Sequence, residues 1–197
     1  MLTNTQEEII AFLLGHPGEQ ISIRGIAKRL KKSYTLVYNN LSKLEKKEII
    51  IKNSVPPAQI VSLNEFTPIE ILIGIELKRK KEFLKKYPWL QVMLNDVLSS
   101  TGNLFFILVV FGSYAKEKQT KNSDIDLLII VQDKKNINEV DNAISRAYTR
   151  VKKGVNFVDV SDFKEMIKNT NELNIGNEAK KHHIILHGVE MYYKLIR

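Results

Sequence analysis

Two apolar runs of strand length constrain this chain more than anything else in it. "LFFILVVF" spans residues 104–111 and "IDLLIIV" spans residues 125–131. Both are far shorter than the roughly 20 apolar residues of a membrane-spanning helix. Neither alternates polar with apolar, so both read as strands covered on two sides. Such strands usually exclude charge. Yet the second run opens on Asp124 and Asp126, and the first stops at Gly112-Ser113.

Acids spaced i, i+2 on a strand project from the same face. Two carboxylates that close repel each other, and a divalent cation between them removes the repulsion. Hard oxygen ligands at this spacing suit Mg²⁺ or Mn²⁺, ions that commonly also hold substrate phosphates. Gly112 lets backbone approach a ligand closely. A strand that ends in Gly-Ser and turns into "YAKEK" offers amide N–H groups and a hydroxyl to an anion such as a triphosphate, with Lys116 and Lys118 nearby. The alternative makes Asp124 a turn residue after "KNS" and Asp126 a solvent-facing acid on an edge strand. Gly-Ser at the end of the preceding apolar run weighs against it.

The set Gly112, Ser113, Ala115, Lys116, Ser123, Asp124, Ile125, Asp126 and Leu127 resembles the pattern of the DNA polymerase β-like nucleotidyltransferase superfamily, in its minimal nucleotidyltransferase branch. The resemblance covers roughly residues 90–197. It implies a mixed sheet with flanking helices and transfer of a nucleoside monophosphate from an NTP, ATP among them, to a hydroxyl acceptor. It also implies two Mg²⁺ ions held by carboxylates. Asp124 and Asp126 then take the catalytic and metal-binding roles, and Gly112, Ser113 and Lys116 the nucleotide-binding one. Lys116 stands where the family often has Arg, which weakens bidentate phosphate contact. The family's third carboxylate, often inside a V-D-L-V run, aligns with Asn156 of "GVNFVDV". Asn can ligate a metal but cannot act as a general base. Asp159 is the candidate third metal ligand, although its odd spacing from Asn156 turns it to the other face of a regular strand. Its other reading is a strand-end residue that leads into a helix cap at Ser161-Asp162. Relatives of this branch act beside toxin-like helical proteins, so a toxin-like partner is an expectation of the resemblance. A catalytically weak fold serving as a DNA-binding regulator or antitoxin-like partner is the alternative function.

The formal charge of +8 is concentrated. Residues 20–52 carry nine Lys/Arg against two Glu, a localised basic patch that suggests a nucleic-acid partner. The spacing predicts helices over 5–14, capped by Thr5 or Asn4, over 21–33 and over 33–48, capped by Ser33. A hairpin over 49–64 follows, with "KNSVPPAQ" as a loose loop. Three helices and a hairpin resemble a winged helix-turn-helix over about the first 65 residues. Val37, Leu41 and Leu44 face inward in the third helix, which leaves Tyr34, Thr35, Tyr38, Asn39, Ser42 and Lys43 to read base edges. Arg24, Lys28, Lys31 and Lys32 are placed on phosphates. A solvated helical face is the plainer reading of the same residues.

Residues 67–100 read as two helices split at Pro88, with Thr67 capping the first, and form the expected homodimer surface. Beyond the two apolar runs, a helix over about 137–152, a strand over 155–160 and a short helix follow. His183 and His187 sit at i, i+4, but no acid or Cys completes a zinc site. The expected architecture is α+β: a winged helix over 1–66, a helical connector over 67–100 and a nucleotidyltransferase-like domain over 101–197. The absence of Cys, of a signal-peptide pattern and of an apolar span predicts a cytoplasmic protein without a membrane partner.

Overall fold

The computed structural model describes residues 1–147 and 153–197. They form two compact units, Met1–Ile75 and Glu76–Arg197. The first unit opens with α1 (Asn4–Gly15), strand β1 (Ile21–Ser22), α2 (Ile23–Arg29) and α3 (Tyr34–Glu45). The hairpin of β2 (Ile50–Val55) and β3 (Ala58–Leu63) follows, and β1 pairs with β3 to give the sheet order β1-β3-β2. This is a winged helix. Its core is Ile9, Ile10, Ile26, Val37, Leu41, Leu44 and Val61, all fully buried. Each such side chain contributes roughly 1.5–3 kcal/mol of transfer free energy.

Local chemistry shifts several expected boundaries. Thr3, rather than Asn4 or Thr5, caps α1 in a capping box with Gln6. Residues 21 and 22 are strand, paired with Val61 and Ile60, and the Ser22 hydroxyl then caps α2 by accepting from the Gly25 amide at 3.1 Å. Ser33 caps α3 as expected. The hairpin is tighter than its sequence suggests. Pairing continues to Val55 and Ala58, so only Pro56-Pro57 turns the chain.

The boundary between the units falls inside α4 (Ile69–Lys86). The Thr67 hydroxyl donates toward the carbonyls of Asn64 and Ile49, at 2.7 and 3.0 Å. Helix α5 (Pro88–Thr101) is not a separate connector. Its Leu90, Met93, Leu94 and Val97 belong to the core of the second unit.

That core is a four-stranded sheet, ordered β6-β5-β4-β7. Strand β4 (Phe106–Phe111) leads through the one-turn helix α6 (Gly112–Ala115) to β5 (Ile125–Val131). A 3-10 turn (Lys134–Asn136) and α7 (Ile137–Ala147) follow; residues 148–152 of the expected helix lie outside the described residues. Strand β6 (Lys153–Asp159) pairs parallel with β5, whereas β4 pairs antiparallel with β5 and with β7 (Ile184–His187). Helices α8 (Val160–Lys168), α9 (Ile175–Lys181) and α10 (Val189–Ile196) complete the chain.

Alternate residues of β4 and β5 face opposite sides. Phe106, Leu108, Val110, Ile125, Leu127, Ile129 and Val131 pack under α5 and α7. On the other side Ile107, Val109, Leu128 and Ile130 are fully buried beneath α8, α9 and α10. Both apolar runs are therefore strands covered on two sides. Among the described residues no helix is long and apolar enough to cross a membrane.

Candidate active site and nucleic-acid interface

Asp126 is the first residue of β5 on the α8–α10 side of the sheet, one step beyond Leu128. Its backbone partners are Phe111 at the end of β4 and Gly154 near the start of β6. At both neighbours a glycine makes room. A Cβ on Gly112 would lie 2.9 Å from Asp126 Cγ, and a Cβ on Gly154 would lie 3.1 Å from Asp126 Oδ1. The carboxylate thus sits in a notch kept open by Gly112, just after β4, and by Gly154 on β6. Gly112 also has φ +65°, a backbone state costly to a residue with a Cβ.

Burial, and then the charge of Asp124, raise the pKa of Asp126; the Ser113 amide and the Lys116 ammonium partly offset this. Asp124 precedes β5 and is exposed. The turn that delivers it is closed by Ser123, whose hydroxyl accepts from the Thr120 amide at 2.9 Å. Lys116 N–H donates to Gly112 O and Lys118 N–H to Ser113 O, which ends α6 and folds the segment back. Tyr114 lies edge-on to Tyr87 at 5.2 Å. Burial first, then Tyr87 and Asp124, raise its pKa.

The family model described as "Polymerase beta, Nucleotidyltransferase" matches residues 94–194, just over half of the chain. The chain belongs to this family. No curated protein matches it. Part of the chain is also similar to solved structures of other proteins. A point mutant of MepR "from multidrug resistant S. aureus clinical isolate" is 23% identical, over 38% of this chain and 55% of that one, with a TM-score of 0.35. A point mutant of Lactococcus lactis ZitR is 24% identical over 46% of this chain and 60% of that one, with a TM-score of 0.36. MepR, "a transcription regulator of the Staphylococcus aureus multidrug efflux pump MepA", is 21% identical over 50% and 79%, with a TM-score of 0.37. The chain therefore spans little more than half the length of the first two.

Within the nucleotidyltransferase unit, Gly112, Ser113, Lys116, Asp124 and Asp126 come together around the ends of β4 and β5. Asn156 shares the face of Asp126 but pairs with Leu128, about 7 Å further along the strand. Its amide Nδ2 is 3.5 Å from the carbonyls of Leu127 and Gly154. Asp159 is a correction to the sequence reading. It pairs with Val131 at the far end of β5, on the opposite face. Its Oδ1 accepts from the Asp162 amide at 2.7 Å and from the Ser161 hydroxyl at 2.8 Å. It therefore caps α8, and those bonds, led by the Asp162 amide, hold its pKa down. Among the described residues no cluster of three or more acids, His or Cys is placed to hold a metal.

His183 and His187 do not share a helix: His183 precedes strand β7 and His187 ends it. His187 lies against the Phe106 ring at 4.7 Å. His183 is buried with Nδ1 2.9 Å from Ala179 O. Two residues of the site carried little or no sequence signal. Gly154 opens an apolar run, where a glycine marks close approach, and Glu178 on α9 lies 62 positions from Lys116, with which it pairs at 2.9 Å.

On the winged helix, Tyr34, Thr35, Tyr38, Asn39 and Lys43 are exposed along α3, and Ser42 is half-buried. Tyr34 and Tyr38 stack at 6.0 Å. Lys52 bonds Glu45 at 2.8 Å and lies 5.3 Å over the Tyr38 ring. Arg24 and Lys28 are exposed on α2. A groove of 510 Å³ runs between Arg24, Tyr34 and the hairpin tip at Ser54, Pro56, Pro57 and Gln59. Lys32 pairs with Glu8 of α1 at 2.8 Å.

Proposed function

We propose that this chain transfers a nucleoside monophosphate from an NTP to a hydroxyl acceptor, and that its winged helix binds DNA. The single observation that carries the catalytic reading is the Asp126 notch. Gly112, just after β4, and Gly154 on β6 stand where any other residue would crowd this carboxylate, and the protein tolerates a second acid, Asp124, close to it. Repulsion within the pair and the raised pKa of Asp126 make the notch unfavourable unless a cation occupies it. The residues fit one hard divalent cation held by Asp124 and Asp126 and shared with phosphate oxygens. A second cation in the family's arrangement would have Asn156 as a neutral ligand. When bound, the cation supplies positive charge to the phosphates undergoing displacement.

The chain's own groups do the rest. The Ser113 hydroxyl and Lys116 orient the triphosphate, and Gly112 admits it to the backbone. With Asn156 in place of the third carboxylate, the position of the family's base holds a neutral amide, so turnover is slow. That same residue favours a second reading, in which the domain binds nucleotide without turnover and the protein acts as a DNA-binding regulator or beside a toxin-like partner. For the DNA reading, the support is the exposed α3 face with Arg24, Lys28 and Lys43 and the adjoining groove.

Incubation with α-labelled NTP and Mg²⁺ tests the proposal. Label transfer or pyrophosphate release that is lost in an Asp124→Ala/Asp126→Ala variant supports transfer. A silent wild type whose DNA affinity responds to NTP supports the regulator. Neither transfer nor NTP binding overturns both readings.

A further inference from the structure

Lys116 closes α6, and its charge acts on Asp126. A long flexible ammonium close enough to act on the Asp126 carboxylate has an obvious resting place there, where it would compete with a divalent cation. Instead its Nζ lies 2.9 Å from Glu178 Oε2. Helix α9, which carries Glu178, is fixed by asparagines. Asn174 Oδ1 accepts from the Asn177 amide at 2.8 Å, and Asn174 Nδ2 donates to Met166 O at 3.0 Å. The buried Asn177 Nδ2 donates to Asn169 O and Glu172 O at 2.7 and 2.9 Å. Gly176 lets the helix close on Met166, since a Cβ there would lie 2.8 Å from Met166 Cβ. None of these bonds uses the Glu178 side chain, which is left to face Lys116.

We propose that Glu178 is a positioning residue that holds Lys116 off the Asp124–Asp126 pair, keeping the pair open to a divalent cation and the ammonium ready for phosphate. This rests on the reading of Asp124 and Asp126 as cation ligands. Both partners of the pair are part-exposed, at 31% and 43%, so its effect is modest. The upper end for such pairs, about 1 kcal/mol, corresponds to about fivefold in affinity.

The test is Mn²⁺ binding to the full chain, followed by electron paramagnetic resonance of the free ion. Glu178→Gln is expected to bind Mn²⁺ about fivefold more weakly than wild type. Adding Lys116→Met to Glu178→Gln is expected to restore wild-type affinity or better, which loss of α9 structure could not do. A second readout needs no metal. In Glu178→Gln the carboxyl titration of Asp126, followed by carbon NMR, shifts to lower pH as Lys116 settles on it, and the double variant reverses the shift. Equal Mn²⁺ affinity of wild type and Glu178→Gln, or a double variant as weak as the single one, overturns the proposal. A wild type that binds no Mn²⁺ removes the cation-ligand reading instead. The metal-free titration then decides by itself whether Glu178 keeps Lys116 away from Asp126.

Discussion

Gly112→Ala is the sharpest probe of the notch. Two costs add. An alanine at φ +65° costs roughly 1–2 kcal/mol. Its Cβ would also stand 2.9 Å from Asp126 Cγ and 3.2 Å from Asp126 Cβ, well inside an ordinary contact of about 3.5–4.0 Å. Overpacking of that kind costs about 1–3 kcal/mol. The sum is about 2–5 kcal/mol, which lowers the melting temperature of a unit this size by about 10 °C or more. The assay is urea unfolding followed by fluorescence of Trp89, the single tryptophan, which packs against the core of the second unit. A double-mutant cycle separates the two costs. In the Asp126→Ala background the carboxylate is gone, so Gly112→Ala should be less damaging by about 1–2 kcal/mol. If Gly112→Ala unfolds at the wild-type urea concentration, or costs the same in both backgrounds, the notch has been misread.

Four further outcomes follow from the same geometry. Because the folded-state pKa of Asp126 is raised by burial and by Asp124, its ionisation costs stability as pH rises through that titration; Asp126→Asn should stabilise the metal-free protein at neutral pH and abolish Mn²⁺ binding, read by urea midpoint and calorimetry. Burial alone would raise the pKa of Glu76, but the Arg79 charge and the His183 imidazole outweigh it and hold it at about 2. Its stabilising effect is therefore present above about 4.5 and lost as pH falls toward about 2, and Glu76→Gln should flatten that acid limb in circular dichroism. Asp159→Ala should cost about 1 kcal/mol through the lost α8 cap and leave Mn²⁺ affinity unchanged. For DNA, Lys28→Ala and Lys43→Ala should each lower the salt-dependence slope of binding by about 1, whereas Lys32→Ala, already paired with Glu8, should leave it unchanged.

Much of this architecture is legible in the chain itself, for identifiable reasons. Short, β-branched apolar runs bounded by turn residues read as doubly covered strands, so β4 and β5 emerge with their ends nearly right. Ser33 followed by Val37, Leu41 and Leu44 defines α3 because cap and period agree. The reading fails where the deciding partner is remote. Residues 21 and 22 look like the start of α2 until β3 is there to pair with them. Asp159 looks like a spare ligand until the register places it at the far end of β5. The Lys116–Glu178 pair is invisible for the same reason, since nothing local links positions 62 apart.

The notch also explains why two acids appear at the start of a greasy strand. Helices α8–α10 cover Leu128 and Ile130, but Asp126 lies one pleat further out, level with Phe111, the residue before Gly112, and with Gly154. The atoms nearest to a Cβ at 112 would all belong to Asp126, so that glycine serves the carboxylate. Stability alone would favour a neutral side chain at 126, because the present choice combines a partly desolvated acid with a like charge beside it. On the proposed reading, a cation received between the two acids offsets both costs. Asn156 on the same face is the counterweight: its amide removes a carboxylate from the family's expected set. On the proposed reading, the site therefore favours holding charged phosphates over taking a proton from an acceptor.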